Sequence, residues 1–288
     1  MNSNNSHSLS GKTVAVSGST GGLGSALCFH LASLGAAIVL ADRNPVKAEA
    51  LAERLRDAHA DVSVRYVRVD LEDMSSVVRG ADELAAIGID YLFLSAGAYH
   101  LERKKCDTGY DNVFQINFLA PYVLAHRLKG HIESRGGRVV AVSSLSCSFA
   151  GFNASDPQYL GVRTASRVYG NAKRILTFAL YRLFEGSNAL AVVHPGISPT
   201  GITGGYPKVV RALIKYPMKL LFASPKRASL CILEGIFRST DEGGWIGPRV
   251  FGVWGRARES SLSCYSRYEA DTVFSFAEKT VLDLGIEG

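Results

Sequence analysis

The stretch VAVSGSTGGLGSALCFHLASLG, Val14–Gly35, changes character twice in twenty-two residues. It opens on an uncharged apolar run, passes through a glycine-rich turn and continues with the spacing of a helix. Gly18, Gly22 and Gly24 form a GxxxGxG pattern, with Gly21 as an extra glycine. Glycines let the chain turn tightly and bring backbone close to a pyrophosphate. The helix behind them presents free N–H groups and the positive end of its dipole. The spacing differs from the GxGxxG dinucleotide fingerprint. A flexible turn is the competing explanation, and the strand before and helix after weigh against it.

Outward from this unit the pattern repeats. Six short runs, TVAVSG, AIVLAD, VRYVRVD, IDYLFLSAG, RVVAVSS and ALAVVHPG, are apolar on both faces, as buried parallel strands are. Helical stretches lie between them, such as Leu23–Ser33 and Val113–Lys129. This alternation predicts an α/β fold: a doubly wound parallel sheet, Rossmann-like, with helices on both faces and right-handed crossovers. Ligands of such sheets bind outside the carboxyl ends of the strands. No internal repeat and no Pro/Ser-rich linker divides the chain. The expected organisation is a loose tail over 1–10 and a single domain over 11–288, with a substrate loop or lid at about 200–240.

The bulk composition agrees. At 288 residues, 47% hydrophobic and 20% charged, the chain can bury a sizeable core, and long disorder is excluded. Its five cysteines form no CxxC, which speaks against a zinc site or disulfide framework and for a reduced compartment. The opening MNSNNSHSLS lacks the basic-then-apolar order of a signal peptide, and no stretch has the uniform apolarity of a membrane span. The expectation is a cytoplasmic protein. Net charge is +6, and between Thr200 and Arg258 ten Lys/Arg face three Asp/Glu, so that segment carries about all of the excess. Its basic residues are interleaved with apolar ones, as in VVRALIKYPMKLLF, which suits an amphipathic element better than a nucleic-acid track.

Several residues place chemistry at the strand ends. Asp42 closes AIVLAD at the offset of an acid that accepts from the adenosine ribose, which favours NAD. Arg43 follows and suits the 2′-phosphate of NADP instead; the two signals conflict, and the carboxylate ranks first. Asp70 ends VRYVRVD, either beside adenine or as a turn former. RVVAVSSLS ends a strand with Ser143 and Ser144. FQINFLAPY sets Asn117 inside a helix, where a buried amide needs partners, and a water shared with Lys173 would supply one. VVHPGISPT closes a sixth strand with Pro195, Gly196 and Thr200, a turn suited to cap a nicotinamide, while His194 reads as structural. VYGNAKRIL puts Tyr169 and Lys173 four residues apart on one helical face. They form either a proton-transfer pair, because a nearby cation favours phenolate, or an ordinary helix with a solvated lysine.

Taken together these residues resemble the short-chain dehydrogenase/reductase family, its retinol dehydrogenase-like branch in particular. The matching segments are SGSTGGLG (Ser17–Gly24), Asp70, SAG (Ser95–Gly97), Asn117, Ser144, YGNAK (Tyr169–Lys173) and PGISPT (Pro195–Thr200), in the family's order across residues 11–202. The resemblance implies an NAD(P)-dependent oxidoreductase of alcohols and carbonyls. Tyr169 would be the acid/base. Lys173 would lower its pKa and hold the nicotinamide ribose, Ser144 would bind the substrate oxygen, and Asn117 would anchor a relay water. It implies cofactor contacts from Gly18, Thr20, Gly22, Leu23, Gly24, Asp42, Arg43, Asp70, Leu71, Ala96, Gly97, Tyr169, Lys173, Pro195, Gly196 and Thr200. The physics is consistent: free tyrosine titrates near about 10, so neutral-pH proton transfer needs a stabilising cation, and the hydride chemistry belongs to the nicotinamide. The resemblance also implies subunit pairing through the helices around Val113–Lys129 and Tyr169–Phe184, hence a homodimer or homotetramer.

Two departures stand out. Leu94-Ser95-Ala96-Gly97 replaces the family's Asn-Asn-Ala-Gly, which puts local rigidity in question. Twenty-five positions separate Ser144 from Tyr169, so CSFAGFNASDPQYLGVRTASR becomes an insert beside the substrate cleft. After Thr200 the apolar residues recur at roughly helical spacing, either as ordinary packing or as a face over the cleft. The second reading implies a bulky steroid-, retinoid- or lipid-like substrate, with the basic residues serving an acidic substrate tail or a membrane surface. A non-catalytic, redox-sensing dinucleotide binder is the alternative function; it has no need of Tyr169, Lys173, Ser144 and Asn117 together.

Overall fold

The computed structural model describes residues 8–99, 102–162, 164–196, 224–250 and 252–287. The six expected strands form: β1 (Thr13–Ser17), β2 (Ala37–Asp42), β3 (Val64–Arg68), β4 (Tyr91–Leu94), β5 (Arg138–Val142) and β6 (Leu190–Val193). Two more follow, β7 (Gly244–Val250) and β8 (Trp254–Ser261). The order across the sheet is β3-β2-β1-β4-β5-β6-β7-β8. Every neighbouring pair is parallel except β7 and β8, which form an antiparallel edge. The order in which strands are added reverses between β1 and β4, which opens the crevice where such sheets hold ligands.

Helices α1 (Gly22–Ser33), α2 (Pro45–Ala58) and α6 (Pro225–Phe237) pack on one face, burying Leu27, Leu31, Leu55 and Ile232. The other face carries α3 (Met74–Ile87), α4, α5 (Ala165–Leu183) and α7 (Arg267–Asp283), over Leu84, Leu124, Phe178 and Val273. Helix α4 consists of α-helical Asn112–Phe114 and Ala120–Ser134 on either side of π-helical Gln115–Leu119. Side chains cap α2 (Asn44), α3 (Asp73), α4 (Asp111), α6 (Ser224) and α7 (Ser266). Helix α1 begins at Gly21 with no side-chain cap, so its first-turn N–H groups face the crevice without an internal acceptor from a side chain.

Part of the expected lid lies elsewhere. From Pro225 the chain forms α6 and packs one face on the sheet: Gly235 sits so close to β5 that a Cβ there would lie 2.5 Å from Val140 Cγ1. The apolar segment from Thr200 to residue 223 is outside the described residues. Helix α7 lies over α4 and α5. Phe276 stacks near Phe114 and Phe118, Tyr122 donates to Glu278 at 2.5 Å, and α5 is buried without interruption from Gly170 to Tyr181. Among the described residues no helix is long and apolar enough to cross a membrane.

Candidate active site

The glycine turn is shaped by close approach. Gly18 has φ +67°, and a Cβ on it would lie 2.7 Å from Ala96 Cα; one on Gly24 would lie 2.3 Å from the Gly18 carbonyl oxygen. The segment after β4 therefore rests directly on the turn. Ser95, where the family carries asparagine, donates its hydroxyl to the Ser17 carbonyl at 2.6 Å, and the Ala96 N–H reaches Ser17 Oγ at 3.3 Å. The replaced side chain thus still stitches β4 to β1, which answers the question of rigidity. Thr20 and Leu23 are partly exposed along the turn.

Asp42 stands differently from the expectation of a ribose acceptor. It is 7% exposed. One carboxylate oxygen accepts from Thr20 N and Oγ1, both at 2.9 Å, and from Ser19 Oγ at 3.4 Å; the other accepts from Arg43 N at 2.9 Å. A buried carboxylate holds the donors nearest to it, and here those belong to the glycine turn. Arg43 projects outward instead, 64% exposed, 3.8 Å from Glu72, which also meets Lys104 at 2.5 Å. Asp70 closes an Asx turn by accepting from Glu72 N at 3.1 Å, the turn-forming alternative of the sequence. Leu71 is buried, and its carbonyl accepts from Gln115 at 3.0 Å.

Ser144, Tyr169, Lys173, Asn117 and Gly97 come together from β5, α5, α4 and the β4 loop. The Ser144 hydroxyl stands beside the Tyr169 phenol and lowers a pKa that burial pushes up to about 12. Lys173 is 2% exposed; its Nζ donates to the Val142 carbonyl at 3.0 Å and lies 6.0 Å from the Tyr169 ring centre. Burial brings its pKa down to about 8. The solvated-lysine alternative is therefore excluded. A Cβ on Gly97 would lie 2.9 Å from Asn117 Oδ1 and 3.6 Å from Lys173 Nζ, so only glycine leaves the two side chains their space. Tyr99 meets the Tyr169 ring edge-on at 5.3 Å.

The Asn117 side chain takes backbone partners: Oδ1 accepts from Ala98 N at 3.0 Å, and Nδ2 donates to Ala98 O at 2.9 Å and to Val113 O at 2.8 Å. The π turn rotates it inward onto the β4 loop, where backbone groups are nearer than Lys173. At the end of β6, Gly196 (φ +79°) packs against Pro248, Gly252 and Val253 of the β7–β8 hairpin, and Pro195 is buried. His194 is structural, 2% exposed and 4.0 Å from the Trp245 ring. Thr200 lies outside the described residues.

Sequence reasoning passed over Arg103. Its guanidinium holds Asp111 and the carbonyls of Gln158, Tyr159 and Val162 at 2.8–3.2 Å, and so ties down the insert between Ser144 and Tyr169. The link spans more than fifty residues, and no local pattern announces it.

A sequence model described as short chain dehydrogenase matches residues 12–156. Human polyprenol dehydrogenase is 26% identical over 263 residues, 85% of this chain and 75% of that protein. Mouse retinol dehydrogenase 14 is 29% identical over 211 residues, 67% of this chain and 63% of that one. Among solved structures, a putative uncharacterized protein from Mycobacterium paratuberculosis superposes with a TM-score of 0.74 at 23% identity, covering 96% of this chain and 95% of that chain. A putative NAD(P) dependent gluconate 5-dehydrogenase from Beutenbergia cavernae, solved with bound NADP, gives 0.60 at 24% identity, covering 80% and 91%. These two show the shared fold. With half of its length matched by the family's own pattern, and with that pattern's residues gathered at one sheet edge, the chain belongs to the short chain dehydrogenase family, a family of oxidoreductases.

Proposed function

We propose that the chain interconverts an alcohol and a ketone or aldehyde with NADP, Tyr169 serving as the acid/base. The observation that carries this reading is the cluster of Ser144 on the Tyr169 phenol beside the buried Lys173. The site suits a dinucleotide. The uncapped start of α1 and the exposed, bare backbone at Gly21 and Gly22 offer N–H groups to a pyrophosphate at the strand ends. When bound, a nicotinamide cofactor supplies the hydride. The chain's own residues do the rest. Ser144 orients the substrate oxygen and the phenol. Tyr169, protonated at neutral pH because its pKa is raised, holds the proton for that oxygen. Lys173, with a pKa brought down to about 8, carries a cation below that pH and so favours phenolate when the proton has moved. Asn117 braces the loop that shapes the floor.

NADP is preferred over NAD in this reading because Asp42 is engaged inward while Arg43 and Lys104 stand outward beside it. The substrate is a bulky apolar molecule of retinoid or polyprenol type. The names of the two curated relatives point to that class, and the ordered insert, with Phe149 79% and Leu160 60% exposed, offers an apolar rim. The Tyr169→Phe variant is expected to retain NADPH binding and lose turnover by at least about 100-fold, measured on a panel of prenyl, retinoid and small polar alcohols. Retained turnover overturns the assignment of Tyr169, and a panel in which only small polar alcohols react overturns the substrate class.

A further inference from the structure

Arg174 follows Lys173 on α5, and its guanidinium is nearly buried, with 8% of the side chain exposed. Nε donates to Glu269 Oε1 at 2.6 Å and Nη2 to Glu269 Oε2 at 2.5 Å, a bidentate pair. The remaining donors reach backbone: Nη1 to the Cys147 carbonyl at 3.2 Å and Nη2 to the Cys264 carbonyl at 2.9 Å. Glu269 also accepts from Phe152 N at 3.0 Å. One ion pair therefore joins α5, the first turn of α7, the start of the insert, the loop after β8 and the 3₁₀ turn Leu145–Phe149.

That 3₁₀ turn begins at Ser144. The Cys147 N–H donates to the Ser144 carbonyl at 3.0 Å, so Arg174 stands two hydrogen bonds from the residue beside the phenol. One helical turn before Arg174, Gly170, the neighbour of Tyr169, lies so close that a Cβ on it would come 2.3 Å from the Ser146 carbonyl. The 3₁₀ turn thus rests on one face of α5, against Gly170 and under the hold of the guanidinium. A buried ion pair is a poor device for stability alone, since apolar residues of similar volume commonly replace one without loss. Its strength is directional, and hydrogen-bond geometry between Ser144 and Tyr169 is steeply dependent on position.

We propose that Arg174, oriented by Glu269, is a positioning residue that sets the Ser144 hydroxyl against the Tyr169 phenol. The inference rests on the reading of Tyr169 as the acid/base. The double variant Arg174→Met/Glu269→Leu removes both charges and keeps the volume; Arg174→Lys keeps a charge without the fork. Each is assayed for thermal midpoint, NADPH affinity, kcat, KM and pH profile, alone and combined with Ser144→Ala. The double variant is expected to fold and bind NADPH within about twofold of wild type, while kcat falls by about 10- to 100-fold with KM nearly unchanged. The acid–base limb of its profile moves to higher pH, as loss of the Ser144 hydrogen bond requires. Arg174→Lys moves the same way by less, and in the Ser144→Ala background the double variant adds less than about twofold, because the route is already cut. An unchanged kcat and pH limb in the folded double variant overturns the proposal, as does a loss that persists in full on top of Ser144→Ala. If the wild type shows no Tyr169-dependent turnover, the reading of the site has failed instead. Hydrogen exchange over residues 145–152 then decides the clamp: faster exchange in the folded double variant upholds it, and unchanged exchange overturns it.

Discussion

Burial sets the proton affinities of single side chains around the strand ends, and His194 shows the effect most simply. Its ring is packed against Trp245, and a Cβ on Gly247 would lie 1.8 Å from Nε2. Desolvation lowers its pKa from 6.5 to about 4. The unfolded chain therefore binds a proton between those values that the folded chain refuses. Stability from this residue is fully present above pH 6.5 and is lost as pH falls towards 4, by up to about 3 kcal/mol. Thermal midpoints of wild type should drop over that range, and those of His194→Leu should drop less; parallel curves would contradict the account. Arg43 makes the second residue-scale prediction. Wild type should prefer NADP, and Arg43→Leu should weaken NADP binding about tenfold, near 1.4 kcal/mol, while NAD binding stays unchanged. A wild-type preference for NAD would show that Asp42 turns outward when ligand binds.

At the scale of elements, the unit β1–turn–α1 is tight at Gly18 and tightest at Gly24. Gly24 approaches the Gly18 carbonyl so closely that Gly24→Ala must push the turn apart. Overpacking of this kind destabilises by about 1–3 kcal/mol. If the turn receives the pyrophosphate as proposed, cofactor affinity should fall further than the thermal midpoint suggests. Isothermal titration with NADPH beside a melting curve separates the two effects. The π turn in α4 is a comparable local device: one extra residue turns Asn117 inward and lets Gln115 hold the carbonyls of Leu71 and Glu72. The β7–β8 edge went unread in the sequence because Pro248 and two glycines interrupt β7 and three charged residues lie along β8. Both strands are made by pairing and packing, and neither by alternation.

At the scale of the whole molecule, α7 decides how the chain meets its copies. Subunit pairing through α4 and α5 was the expectation drawn from the family. In this chain α7 covers those helices: Phe276, Glu278 and Glu269 reach Phe118, Tyr122 and Arg174, and Arg127 holds the carbonyls of Ile286 and Glu287. Pairing on that face would have to displace the helix. Sedimentation of the full chain should therefore give a single copy of 31.0 kDa, and a dimer cross-linked through α4 would refute this. The layered fold and the order of the candidate site were legible because they depend on local rules. Apolar runs mark β1 to β6, the glycines mark the turn, and Tyr169 and Lys173 share a helical face at any burial. The direction of Asp42, the partners of Asn117 and the clamp at Arg174 were not legible. Each is settled by whichever polar group lies nearest once distant segments meet, and chain separations of 22 residues from Asp42 to Thr20 or 95 from Arg174 to Glu269 leave no periodic trace. By itself the sequence determined β1 to β6, their alternation with helices and the candidate residues for chemistry, since propensity and patterning act over a few residues. Only the tertiary structure decided which way those residues face and what holds them, since desolvation makes every buried donor and acceptor take the partner that packing brings within reach.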